Sequence, residues 1–85
     1  MARETIRHLK LKTRTLVEVF KTNIHSRRMA GKVKKCLKEA FPNHNINFDL
    51  NDCDRILRIE SDSLDCKKII EIVKSNNVFI ALLED

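Results

Sequence analysis

Eighty-five residues, 42% of them hydrophobic and 34% charged, fit one small folded domain with a thin core. One glycine and one proline are too few turn formers for an all-β fold, and no apolar run reaches the roughly 18 residues of a transmembrane helix. The net charge of +5 is unevenly divided: residues 1–38 carry twelve Lys/Arg against Glu4 and Glu18, and residues 39–85 carry five against ten acids. That layout suits electrostatic steering of a partner, and equally the mutual attraction of two halves of one domain. Cys36, Cys53 and Cys66 are odd in number and dispersed, as expected of free thiols in a reducing compartment. With no secretory-type apolar core near Met1, the expected location is cytoplasmic.

Residues 1–14 read as a basic N-terminal extension, flexible by default. Within it, Leu9, Leu11 and Thr13 alternate with cations and fit an extension of the first strand, whereas Ile6 and Leu9 also fit one face of a short helix. The domain proper is expected over 15–85. Residues 15–22 form a strand that is apolar on both faces, with Val17 and Val19 opposite Leu16 and Phe20, as suits a central strand. Ser26 is positioned to cap a helix that reaches about Phe41 and stops at Pro42. Its apolar stripe is Met29, Val33, Cys36, Leu37 and Ala40; Arg28, Lys32, Lys34, Lys35 and Lys38 fill the remainder.

Ile46, Phe48 and Leu50 alternate with polar residues, and Ile56, Leu57 and Ile59 follow a turn-rich Asn51–Asp54, predicting a hairpin. Ser61, Asp62 and Ser63 are candidate caps for a second helix over roughly Leu64 to Ser75, with Cys66, Ile69, Ile70 and Val73 inward. Asn76-Asn77 is a left-handed stop, and Phe79 to Leu83 is the last strand. The order β-α-β-β-α-β, with right-handed crossovers, predicts an α+β ferredoxin-like sandwich: a four-stranded antiparallel sheet with two helices on one face. Leu16 and Phe20 are expected on the uncovered sheet face, where apolar groups invite a partner or a second copy.

From about Leu16 to Asp85 the sequence resembles the heavy-metal-associated (HMA) domain, whose pattern is an apolar strand, G-M-x-C-x-x-C, and a helix opening with Lys-Val. Lys32-Val33 and Cys36-Leu37 match the helix; Asn23 stands at the Gly, Ile24 at the Met, Ser26 at the first Cys and Met29 at the second. I-N-F-D-L (46–50), D-R-I-L-R-I (54–59) and K-K-I-I-E-I-V-K (67–74) fit the second half, with Asn77-Val78 where Gly-Tyr is usual. V-F-K-T-N-I (19–24), D-C-D-R-I-L-R-I-E-S (52–61) and the final L-L-E-D resemble a subgroup of small bacterial HMA-like proteins without the cysteine pair.

The resemblance implies a degenerate metal-binding loop. Soft ions need thiolates, which Ser26 does not supply, and Met29 and Cys36 lie in the apolar stripe. His8, His25 and His44 have no carboxylate or nucleophile beside them in sequence, and no catalysis is expected. No cofactor and no membrane association is expected. HMA domains pair with partner domains through the metal loop and first helix. The expected role is therefore a non-catalytic protein-interaction module, with a protein partner or homodimer. Its surface would comprise Asn23, His25, Ser26, Arg27, Arg28, Lys32 and Lys35. The alternatives are heavy-metal binding through a non-standard site and non-specific nucleic-acid binding through the basic half. Base stacking on the central strands is not expected, because the chain has no Tyr or Trp and its third strand, 55–59, has no aromatic residue.

Overall fold

A computed structural model describes residues 15–83; the expectations for residues 1–14 fall outside this range. The element order is β1 (Leu16–Thr22), α1 (Arg27–Ala40), β2 (Asn45–Asp49), β3 (Ile56–Ser61), α2 (Cys66–Lys74) and β4 (Ile80–Leu82). The four strands form one antiparallel sheet in the order β2-β3-β1-β4, with the two helices packed on one face: the ferredoxin-like α+β arrangement. No helix among the described residues is long and apolar enough to cross a membrane.

Strand register decides which side of each strand is buried. Phe20 pairs with Leu57 and with Leu82, Glu18 with Ile59, and Ile59 in turn with Ile46. Paired residues of an antiparallel ladder point to the same side, so Phe20, Leu57, Ile59 and Ile46 form the sheet's contribution to the core. Ala30, Val33 and Leu37 of α1 and Ile69 and Val73 of α2 close over them.

The placement of Phe20 on the open face is therefore corrected: it is 0% exposed, beneath the helices. Leu16 shares its side, beyond the helical cover, and is 49% exposed. The outward residues of β1 are Val17, Val19 and Lys21, opposite Glu60, Arg58 and Ile56 of β3. Alternation alone could not choose, because both faces of β1 are apolar.

Each helix has an identifiable start and stop. Ser26 caps α1: its Oγ accepts from the Met29 amide at 3.1 Å. The buried stripe is centred on Ala30, Val33 and Leu37; Met29 and Cys36 are half-buried flanks and Ala40 is exposed. At the far end the Lys38 ammonium donates to the carbonyls of Pro42 (3.2 Å) and His44 (2.9 Å), a favourable cation where carbonyls accumulate.

For α2 the cap is Asp65, whose carboxylate accepts from the Lys68 amide at 3.1 Å; Ser61, Asp62 and Ser63 instead form the preceding turn, where the Ser61 hydroxyl accepts from the Ser63 amide. Asn77 (φ 62°) is the left-handed stop expected after this helix.

His44 is 8% exposed and stacks on Phe41 at 4.6 Å between ring centroids, and among the described residues neither ring nitrogen has a hydrogen-bond partner. Its backbone is satisfied by Phe41 and Lys38, so the unpaired imidazole is a local cost carried by the turn after α1.

The face assignment has a direct consequence. Phe20→Ala empties a fully buried site and is expected to cost about 3–5 kcal/mol, whereas Val17→Ser on the open face should stay within about 1 kcal/mol. Urea denaturation of both variants checks this; equal losses would reverse the assigned face of β1.

Candidate functional site

The β1–α1 connection, Asn23–Ser26, is held at both sides by polar contacts from the rest of the fold. Thr22, buried at the end of β1, donates its amide to the Asp54 carbonyl (3.1 Å) and its hydroxyl to the Arg55 carbonyl (2.7 Å). The same hydroxyl oxygen accepts from the Ile24 amide at 3.2 Å. Arg55 has a positive φ of 50°, a conformation uncommon for a side chain of its size. It is retained by the Thr22 hydroxyl, by its own amide on Asp52 and by its guanidinium on the Leu50 carbonyl at 2.7 Å.

On the other side the Asn23 side-chain carbonyl accepts from the Phe79 amide at 3.0 Å, across 56 positions of sequence. Ile24 is 1% exposed and sinks into the core between these two anchors. Within this short loop, hydrophobic burial and hydrogen bonds hold the chain in place.

The predicted surface residues then divide by role. Asn23 and Ser26 are occupied by the fold: one tethers the segment before β4 and the other caps α1. His25, Arg27, Arg28, Lys32 and Lys35 are all exposed and lie together along the loop and the outer side of α1. Lys34 belongs to the same side, whereas Lys38 serves the carbonyls after the helix.

Residues 27–40 hold six Lys/Arg against Glu39. The ion pair found among the described residues, Arg58–Glu60 at 2.9 Å, lies on the sheet and involves none of them. Arg28 and Lys32 stand four apart, as do Lys34 and Lys38, so like charges face one another along the helix. The first turn contains Arg27 and Arg28 and no acid, the reverse of what the positive end of the helix dipole favours.

A cleft of about 300 Å³ opens beside this start, lined by Arg27 and Ala30 of α1 and by Phe48, Asp49, Leu50 and Asn51 of the hairpin. The hairpin turn itself is acidic. Asp52, Cys53 and Asp54 are exposed and hold their possible ligand atoms within 4.8 Å of one another. An Asp52 carboxylate oxygen is already engaged by the Asp54 amide at 2.8 Å. This is the group of potential metal ligands found among the described residues, and it lies on the β2–β3 turn. At the β1–α1 junction, Ser26 caps the helix and Met29, in its first turn, packs against the core.

The three thiols sit in different surroundings. Cys53 is exposed; Cys36 is half-buried with its Sγ 3.9 Å from the Asn76 side-chain carbonyl; Cys66 opens α2 and is half-buried. Burial, reinforced by the negative charges of Glu18 and Asp65, pushes the Cys66 thiol above its ordinary range.

No protein-family model matches the chain, and neither does any curated protein.

The surroundings of the thiols predict an order of reactivity. With iodoacetamide near neutral pH, Cys53 should be labelled first and Cys66 should lag, gaining rate only as alkali forms its thiolate. Peptide mapping over a time course checks the order; Cys66 reacting first would contradict its assigned surroundings.

Proposed function

We propose that the chain is an HMA-like domain that acts as a non-catalytic protein-interaction module in the cytoplasm. It docks an acidic protein surface through the loop after β1 and the outer side of α1. The observation that carries this reading is the self-repelling array of cations on α1, which makes no ion pair among the described residues, with two arginines placed against the helix dipole. Such an arrangement lowers the stability of the isolated helix. Local rules broken without a gain to the fold are characteristic of residues kept for binding.

The anchoring of the loop supports the same reading. Thr22, Asn23 and Ile24 fix the chain through the fold's own hydrogen bonds, so His25, Arg27 and Arg28 project from a preorganised support. A rigid array binds with less ordering entropy than a flexible one. Charge on such an array acts mainly on the rate of encounter and on the choice of partner.

Nucleic-acid binding would draw on the same cations. The carboxylate of Asp49 weighs against it, because Asp49 lines the same cleft as Arg27, at the end of the array where a continuing phosphate backbone would pass. The outward residues of the two central strands, Val17, Val19, Lys21, Ile56, Arg58 and Glu60, offer no ring for base stacking.

Affinity capture from the source organism tests the proposal. The wild-type chain should retain a salt-sensitive partner that the triple variant Arg27→Glu, Arg28→Glu, Lys32→Glu loses, with both proteins equally folded by circular dichroism. Identical captured sets would contradict docking through this face.

A further inference from the structure

The chain's single glycine, Gly31, stands in the second turn of α1 with no structural need for it among the described residues. Its φ is not positive, so no turn or cap requires it. A Cβ placed there meets nothing within 4 Å among the described residues, so no neighbouring backbone of theirs requires it either. Glycine in a helix interior is less favourable than alanine, and here that loss brings no compensating contact.

Its surroundings on the helix surface are specific. The positions three and four residues away, its nearest surface neighbours, are Arg27, Arg28, Lys34 and Lys35. All four are exposed cations. The helix thus has a bare notch of backbone ringed by four positive charges, in the N-terminal half of its outward side.

We infer that Gly31 is the point of closest approach for an acidic helix of the partner protein, which crosses α1 there with carboxylates flanking a small-residue ridge. This inference rests on the docking role proposed for α1. Side chains normally hold two helix axes about 8–10 Å apart, and a glycine at the crossing brings them to the near end of that range. Close approach sets the partner's flanking carboxylates within reach of the four cations, which neutralise them on both sides of the notch. A helix is favoured over an extended polyanion because the array is short. The 14 residues of α1 span about 21 Å. At its Arg27 end the array meets Asp49, which would repel a strand of phosphates running past.

The lack of neighbours around Gly31 makes the test clean, because substitution there does not damage the fold. In the full chain, Gly31→Ala and Gly31→Gln should raise the melting temperature by roughly 2–6 °C. The probe is a synthetic amphipathic helical peptide with alanines along one ridge and glutamates on both flanks, titrated into isotopically labelled protein. Amide shifts centred on Arg27 to Lys35 are expected, with binding weakened roughly tenfold by Gly31→Gln.

A Gly31→Gln variant that binds as well as wild type, while Arg27→Glu with Lys35→Glu abolishes binding, overturns the close approach and leaves the docking role standing. Absence of peptide binding, or binding untouched by the charge reversals, overturns both. Duplex DNA bound more tightly than the peptide, with a steep salt dependence, overturns the acidic helix in favour of a phosphate partner.

Discussion

The hydroxyl of Thr22 joins three parts of the molecule. It donates to the carbonyl of Arg55 in the hairpin and accepts from the amide of Ile24 in the loop, at the point where β1 ends. A buried hydroxyl that makes both bonds offsets its own desolvation and satisfies two backbone groups that would otherwise be orphaned. The left-handed turn at Arg55 and the inward path of Ile24 both depend on it. From Ile24 the chain has little freedom: Ser26 must emerge at the surface, and there it caps α1. The direction of α1, and with it the side on which its cations stand, follows from these few bonds.

Stability and surface composition pull in opposite directions along α1. The inward side is an ordinary core contribution of Ala30, Val33 and Leu37. The outward side combines arginines in the first turn, like charges one turn apart and a glycine in the interior. A chain of this size has a thin core and little stability to spare. The packing of Val33 and Leu37 and the caps at Ser26 and Lys38 offset what the outer side loses. The neighbouring hairpin is built the other way, with acids at its turn. The domain therefore presents a positive helix next to a negative loop, a bipolar surface of the kind that steers charged molecules on approach.

Much of the fold was legible in the sequence because hydrophobic periods of two and of about 3.6 alternate cleanly along it. The element order, the Ser26 cap and the left-handed Asn77 followed from local chemistry. What was not legible depended on contacts between distant residues. Both sides of β1 are apolar, so only pairing with β3 and the cover of the helices assign Phe20 to the core. Three capping residues precede Asp65, and Ser61–Ser63 are consumed by a turn of their own, which displaces the start of α2. Lys38 looks like any surface lysine until the carbonyls of Pro42 and His44 are brought beside it. Asn23 reads as a member of a binding loop, but its partner, the Phe79 amide, lies at the far end of the chain. For the candidate surface, the sequence located the cations, and the three-dimensional arrangement separated Lys38, engaged by the carbonyls after α1, from those that make no ion pair among the described residues.

Amide exchange at Ile24 tests most directly whether the loop is held by its own residues. Its N–H is buried and bound to the Thr22 hydroxyl, so in chelator-treated protein it should exchange about as slowly as the amide of Leu57 in the core of the sheet. Fast exchange at Ile24 that slows only when a metal ion is added would contradict a loop organised without metal and, with it, the preorganised cationic surface built on that loop.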